Sequence, residues 1–217
     1  MVDAIIMCGG QGKRLRPITD TIPKPLVPIN GKPLLEFQID LLKKYGVNKI
    51  ILACGYKWEK IKEKYGDKFV YSVETERLGT GGALKQAIAH VDGDEFFLIY
   101  CDEITDVDLD AVKSLGSNAI IVSNFNCRFG IVDIENGKVK SFKQKPKLEN
   151  LWASIGMYFL NKNIRNDLPD KGSMERVLFE NPKFKLKAHK HRGLWMTVNT
   201  RKDKETVEKF LKDHPLF

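Results

Sequence analysis

Asp3-Ala4-Ile5-Ile6-Met7-Cys8-Gly9-Gly10-Gln11-Gly12-Lys13-Arg14-Leu15-Arg16-Pro17 opens the chain, and Pro23-Lys24-Pro25 follows closely. The apolar run Ala4-Ile5-Ile6-Met7 has the length and composition of a short buried strand. Three glycines directly after it let the backbone turn sharply and bring its N–H groups near a ligand. Lys13, Arg14, Arg16 and Lys24 surround that turn with positive charge, and the combination describes a pocket for a polyphosphate. A Walker A loop would need G-x-x-x-x-G-K-S/T, but no hydroxyl follows Lys13. A dinucleotide fingerprint would open a helix at its third glycine. Here the turn runs into a proline-rich stretch that is expected not to be helical. The plain alternative is a glycine turn with surface lysines, against which Arg14 and Pro23-Lys24-Pro25 weigh.

Working outward, strand-like and helix-like runs alternate. Strands are expected at Asp3–Cys8, Lys49–Cys54, Phe69–Val73 and Glu95–Tyr100, with helices at Pro33–Tyr45, Trp58–Tyr65 and Gly82–His90 between them. That alternation predicts an α/β fold, a Rossmann-like mixed sheet, mostly parallel, with helices on both faces. Ligands of such sheets bind beyond the C-terminal strand ends. The glycine loop after Cys8 and Asp102 after Tyr100 both fall there. In the second half, Gly130–Ile134 and Lys138–Lys143 flank Glu135-Asn136-Gly137, a hairpin turn signal. Further strands are expected at Trp152–Leu160 and Phe184–Lys190, and Val207, Phe210 and Leu211 stripe a C-terminal helix. The 217 residues are treated as one domain, with one lobe over about 1–125 and a second, carrying the C-terminal helix, over about 126–217.

The formal charge of +8 raises the thought of nucleic acid, but the basic residues are spread over helices without interleaved aromatics. A positive cleft for small anionic substrates accounts for the excess equally well. Apolar runs are strand-sized, so neither a membrane span nor a signal peptide is expected, and a cytoplasmic location follows. Cys8, Cys54, Cys101 and Cys127 form no C-x-x-C pair and are expected to be reduced thiols, mostly buried. His189 and His191 alternate on a strand and are taken as surface or structural rather than a metal pair.

Gly9-Gly10-Gln11-Gly12-Lys13-Arg14-Leu15-Arg16-Pro17-Ile18-Thr19, Pro23-Lys24-Pro25-Leu26-Val27-Pro28 and Gly31-Lys32-Pro33 together resemble the sugar nucleotidyltransferases, the nucleotide-sugar pyrophosphorylases. Their pattern reads G-G-x-G-S/T-R-L-x-P, then P-K-P, then G-K/R-P. Lys13 departs from it, standing where a hydroxyl residue is usual. The resemblance implies a nucleotide-diphospho-sugar transferase fold and transfer of a nucleotidyl group from a nucleoside triphosphate to a sugar 1-phosphate. It also implies roles: Arg14 and Lys24 as the catalytic cations, and Cys8, Gly9, Gly10, Gly12 and Lys13 around the phosphates. Leu78-Gly79-Thr80-Gly81-Gly82-Ala83 resembles the family's base loop, giving Gly79, Thr80 and Gly81 as base contacts before a helix starting near Gly82.

Asp102 resembles the aspartate of the family's strand-then-G-D motif, with Cys101 in the glycine's place. A carboxylate at a strand end facing phosphates suits Mg²⁺, or Mn²⁺. Many relatives carry W-x-D-I/V-G-T, but this chain has Trp195-Met196-Thr197-Val198-Asn199-Thr200, so Thr197 occupies the usual aspartate position. Val198-Asn199-Thr200-Arg201 resembles the V-N-N-R of bacterial uridylyltransferases, which makes Asn199 the implied second metal ligand. The alternative is Asn199 as cap of the last helix. On the sugar side, Phe129-Gly130-Ile131-Val132, Gln144-Lys145-Pro146, Ser154-Ile155-Gly156-Met157-Tyr158 and Ser173-Met174-Glu175 resemble family segments. They imply Gly130, Gln144, Lys145, Gly156 and Glu175 as acceptor contacts. Gln144 replaces a glutamate and brings no charge.

In the implied reaction one anion attacks another. Two unit charges 4 Å apart repel by about 4 kcal/mol at an effective dielectric of 20, so charge neutralisation and alignment carry the chemistry. The rival readings are a silent nucleotide-sugar-binding subunit, which would be expected to have lost Arg14, Lys24 or Asp102, and an enzyme with a non-sugar phosphate acceptor. The base, the sugar and homo-oligomerisation stay open.

Overall fold

The protein is described by a computed structural model over residues 2–47, 49–125, 127, 129–180 and 183–216. Its first half alternates strand and helix: β1 (Asp3–Met7), a single-turn α1 (Ile18–Thr21), the short pair β2 (Pro28–Ile29) and β3 (Lys32–Pro33), and α2 (Leu34–Lys44). Then follow β4 (Ile50–Cys54), α3 (Trp58–Tyr65), β5 (Val70–Val73), α4 (Gly79–Ala87), β6 (Glu95–Tyr100), β7 (Glu103–Thr105) and α5 (Leu109–Ser114). The second half adds β8 (Ala119–Ser123), β9 (Gly130–Glu135), β10 (Lys138–Gln144), β11 (Ala153–Asn161), α6 (Met174–Glu180), β12 (Lys187–His191), β13 (Trp195–Thr197) and α7 (Arg201–Asp213).

Seven strands share one sheet in the order β12-β8-β11-β6-β1-β4-β5. Only β11 runs against its neighbours, pairing antiparallel with β6 and β8. The mixed, mostly parallel sheet is therefore as expected. Its central strands are apolar on both sides because both faces are covered. Ala4, Ile6, Leu52 and Ile99 pack with Leu35, Ile39 and Leu42 of α2 on one face. Ile5, Ile51 and Leu98 pack with Leu84 and Ala87 of α4 and Leu178 of α6 on the other. A third cluster sits beyond the sheet ends, where Leu15, Val27, Ile104 and Val198 meet Val207 of α7. Leu15 and Val198 of this cluster adjoin Arg14 and Asn199 in the chain.

Several details differ from expectation. The proline-rich stretch does contain helical turns: α1 follows Pro17, and a 3-10 turn spans Lys24–Leu26. Proline is tolerated in a first turn, where its missing N–H would have no partner anyway. Helix α4 begins at Gly79 rather than near Gly82, and the strand expected at Phe184–Lys190 is Lys187–His191. The hairpin turns at Asn136 and Gly137, both with positive φ of 50° and 76°, the geometry that a two-residue hairpin loop demands. Among the described residues no helix is long and apolar enough to cross a membrane. All four cysteines are free thiols, and Cys8, Cys54 and Cys101 are buried.

Candidate active site

Register sets the site. Met7 on β1 pairs with Ala53 on β4 and with Tyr100 on β6, so three parallel strands end together. The segments that leave them line a cavity of about 670 Å³. Gly9, Gly10, Gly12 and Lys13 line it from the first loop, Gly79 and Thr80 from α4, and Asp102 from the end of β6. Cys8 is buried beneath that lining. Gly12 adopts a left-handed φ of 60°, and a Cβ there would stand 3.2 Å from Lys24 Cβ. The loop therefore needs glycine both for its turn and for the approach of Lys24.

Asp102 and Asn199, 97 residues apart in number, are brought together by the pairing of β7 with β13, which sets Thr197 opposite Glu103. Val198 N–H then donates to the Asp102 carbonyl at 3.0 Å. Lys24 Nζ donates to Asp102 Oδ2 at 2.5 Å and to Asn199 Oδ1 at 2.9 Å. Arg14 Nη2 donates to the same Asn199 Oδ1 at 3.0 Å. Four residues from four segments thus converge on a few ångströms. Asn199 is not the cap of α7. Thr200 is, with Asp203 completing a capping box, and this leaves the Asn199 side chain turned to the site.

The two oxygens that face the Lys24 ammonium are a carboxylate and an amide carbonyl, both hard donors. That set suits a small divalent cation that completes its shell with water and phosphate oxygens. Among the described residues no cluster of three acidic, histidine or cysteine side chains forms a complete metal cage. A residue that the sequence did not single out, Glu103, adjoins this centre. Burial and the neighbouring Asp102 carboxylate push its pKa up to about 8, against the hydrogen bonds of Trp195 and Thr197 and the Lys24 charge.

The match to a family model, described as nucleotidyl transferase, covers residues 3–176 and so takes in the glycine loop, Lys24, the base loop and Asp102. The chain belongs to the nucleotidyl transferase family. It is 42% identical over 199 residues to a D-glycero-alpha-D-manno-heptose 1-phosphate guanylyltransferase of Campylobacter jejuni, covering 86% of this chain and 89% of that one. It is 31% identical to a glucose-1-phosphate cytidylyltransferase of Salmonella typhi, with 94% of each covered. A crystal structure of HddC from Yersinia pseudotuberculosis complexed with GMP-PN is 32% identical and superposes with a TM-score of 0.75, covering 97% of this chain and 100% of that one. The family expected from the motifs is borne out.

The remaining residues of this nucleotidyl transferase separate into two groups. Gly81 does not line the cavity; a Cβ there would meet Pro169 at 2.9 Å, so its α-carbon packs against the 169–172 segment. Glu175 lies next to the base loop, where its carboxylate accepts from Thr80 Oγ1 at 2.9 Å, from Ser173 Oγ at 2.6 Å and from the Tyr100 hydroxyl. Burial raises the Glu175 pKa, but these hydroxyl donors outweigh it and hold the group below the ordinary glutamate value. Gly156 is buried at a φ of 68° with the Tyr100 ring against it. Gly130, Gln144 and Lys145 lie on or beside the β9–β10 hairpin, exposed and outside the cavity lining. The hairpin pairs only with itself among the described strands. His191, expected as surface or structural, is buried and hydrogen-bonded to Thr105 and the Leu194 carbonyl.

Proposed function

We propose that this nucleotidyl transferase moves a guanylyl group from GTP to a sugar 1-phosphate, releasing pyrophosphate and forming a GDP-sugar. The observation that carries the reading is the convergence of Arg14, Lys24, Asp102 and Asn199 beside a cavity walled by glycine backbone. In the reaction an acceptor phosphate oxygen bonds to the α-phosphorus while the bond from that phosphorus to the bridging oxygen breaks in line. The glycine-loop amides and Lys13 cradle the β- and γ-phosphates. Arg14 stabilises charge on the departing pyrophosphate. Lys24 reaches the α-phosphate and the incoming phosphate, lowering the repulsion between the two anions. Asp102 and Asn199 would hold Mg²⁺ or Mn²⁺, which supplies further charge neutralisation to the phosphate oxygens when bound.

Guanine as the base is supported by the guanylyltransferase name of the Campylobacter jejuni relative and by the GMP-PN complex of HddC. The same relative supports a manno-configured heptose 1-phosphate as acceptor, with Lys145 on its phosphate and Gln144 on its hydroxyls as the motifs imply. The deciding experiment is pyrophosphate release with Mg²⁺, testing each nucleoside triphosphate against heptose, mannose and glucose 1-phosphates. Release with GTP and a manno-configured acceptor is expected. Preference for CTP with glucose 1-phosphate would transfer the chain to the second relative's chemistry. Silence in a folded protein that binds nucleotide would leave a binding subunit instead.

A further inference from the structure

Thr197, at the position where the motif resemblance implies an aspartate, is a side chain that the reaction above does not use, and Glu103 opposite it is only 8% exposed. We propose that Thr197 is a positioning residue that fixes which end of the Asn199 amide faces the cations of the site. The proposal rests on the reading of Asn199 Oδ1 as a metal-holding oxygen.

An asparagine amide has two chemically different ends, an accepting oxygen and a donating NH₂. Only the oxygen can face a metal or the groups that stand there now, Lys24 Nζ at 2.9 Å and Arg14 Nη2 at 3.0 Å. The opposite end, Asn199 Nδ2, donates to Thr197 Oγ1 at 2.8 Å. A threonine hydroxyl has a single proton. With its oxygen accepting from the amide, that proton points away from Asn199. The strand pair that carries Thr197 is held from outside: Glu103 Oε2 accepts from Trp195 Nε1 at 2.6 Å, and the Glu103 backbone carbonyl accepts from Gln38 Nε2. The β7–β13 register keeps Thr197 directly opposite Glu103.

Thr197 therefore offers the amide an acceptor on the side away from the two cations. A flipped amide would set NH₂ against two cations and leave the Thr197 oxygen facing a carbonyl. Groups that orient a metal ligand typically contribute about 10–100-fold in metal affinity.

The test uses the full chain and Mn²⁺ alone as probe, with free Mn²⁺ followed by electron paramagnetic resonance. Thr197→Val removes both the hydroxyl proton and its acceptor at nearly constant shape, and is expected to weaken Mn²⁺ binding about tenfold. Thr197→Ser is expected to restore it, and Asn199→Ala to weaken it at least as much as the valine variant. A valine variant that binds Mn²⁺ like the wild type, while Asn199→Ala is impaired, overturns the positioning role alone. Unimpaired Asn199→Ala overturns the metal reading and this inference with it. Thermal melts of each variant accompany the titrations, and Thr197→Ala substitutes if the valine variant does not fold. The Asn199 side-chain NH₂ signals in metal-free protein give a second readout by nuclear magnetic resonance. They are expected to be protected from exchange in the wild type and Thr197→Ser and unprotected in Thr197→Val; equal protection in all three overturns the proposal whatever the metal does.

Discussion

The Lys24 ammonium lies 2.5 Å from the Asp102 carboxylate, 78 residues further along the chain, with both side chains under one-fifth exposed. The same ammonium contacts Asn199 Oδ1, so it stands between the two oxygens assigned to a divalent cation. Removing it leaves Asp102 a nearly buried charge without its partner. Breaking a buried pair from one side costs about 3 kcal/mol at the lower end, and for a chain of this size that lowers Tm by roughly 6–12 °C. Lys24→Met is expected to show that loss in metal-free buffer and to regain part of it as Mg²⁺ is added. A melting curve unchanged from the wild type, or a loss that Mg²⁺ leaves untouched, would contradict the assignment of this space to a cation.

Arg14 differs from Lys24 in being exposed, which separates catalysis from stability. Arg14→Ala is expected to lower turnover by about 10²-fold or more with little change in Tm. Asp102→Ala is expected to cause a comparable loss of turnover. Steady-state pyrophosphate release at saturating substrates, beside thermal melts, measures both. Near-normal turnover in either variant removes it from the roles given above.

The central strands and helices were legible because their apolar runs carry the right period and length. Trp58–Tyr65 and Glu95–Tyr100 fall where the pattern puts them. The pairing that assembles the site was not legible. β7 and β13 have three residues each, too few for a periodicity, and their partnership is a tertiary fact. Asp102 and Asn199 were found by motif, but their meeting through Val198 and Thr197 was not, and Glu103 stayed hidden for the same reason. Its signal was faint: an acid beside Asp102, followed by the apolar Ile104 in a short β-prone run. The start of α4 at Gly79 was missed because glycines disfavour helix, and here packing against the 169–172 segment overrides propensity. The sugar-side motifs were read from resemblance, whereas the hairpin that carries several of them stands outside the cavity.

The glycines of the two loops serve different ends, and alanine separates them. A Cβ on Gly82 would lie 2.2 Å from the Asp170 carbonyl oxygen and 2.8 Å from Leu78 Cβ. Gly82→Ala is therefore expected to overpack α4 against that segment and cost about 1–3 kcal/mol. Around Gly10 nothing lies within 4 Å of such an atom, and the residue faces the cavity. Gly10→Ala is expected to keep the wild-type Tm while raising KM for the nucleoside triphosphate. Melting and kinetics on the two variants decide it; a Gly10→Ala protein with unchanged KM would remove that glycine from the phosphate cradle.

Glu175 ties the base loop to the end of β6 through Thr80, Tyr100 and Ser173, and these donors stabilise its charged form. Its folded pKa lies below the ordinary glutamate value of 4.5. The stability it contributes is thus fully present above that value and is lost as pH falls through the folded pKa. Glu175→Gln replaces one accepting oxygen by an NH₂ group that cannot accept from a hydroxyl. The variant is expected to melt below the wild type at pH 7 and to follow a flatter curve through the acid range. The two curves approach each other as pH falls, because a protonated Glu175 has also lost an acceptor. Thermal melts between pH 7 and pH 3 test this, and two curves that stay parallel throughout would show that the Glu175 carboxylate is not what those three hydroxyls stabilise.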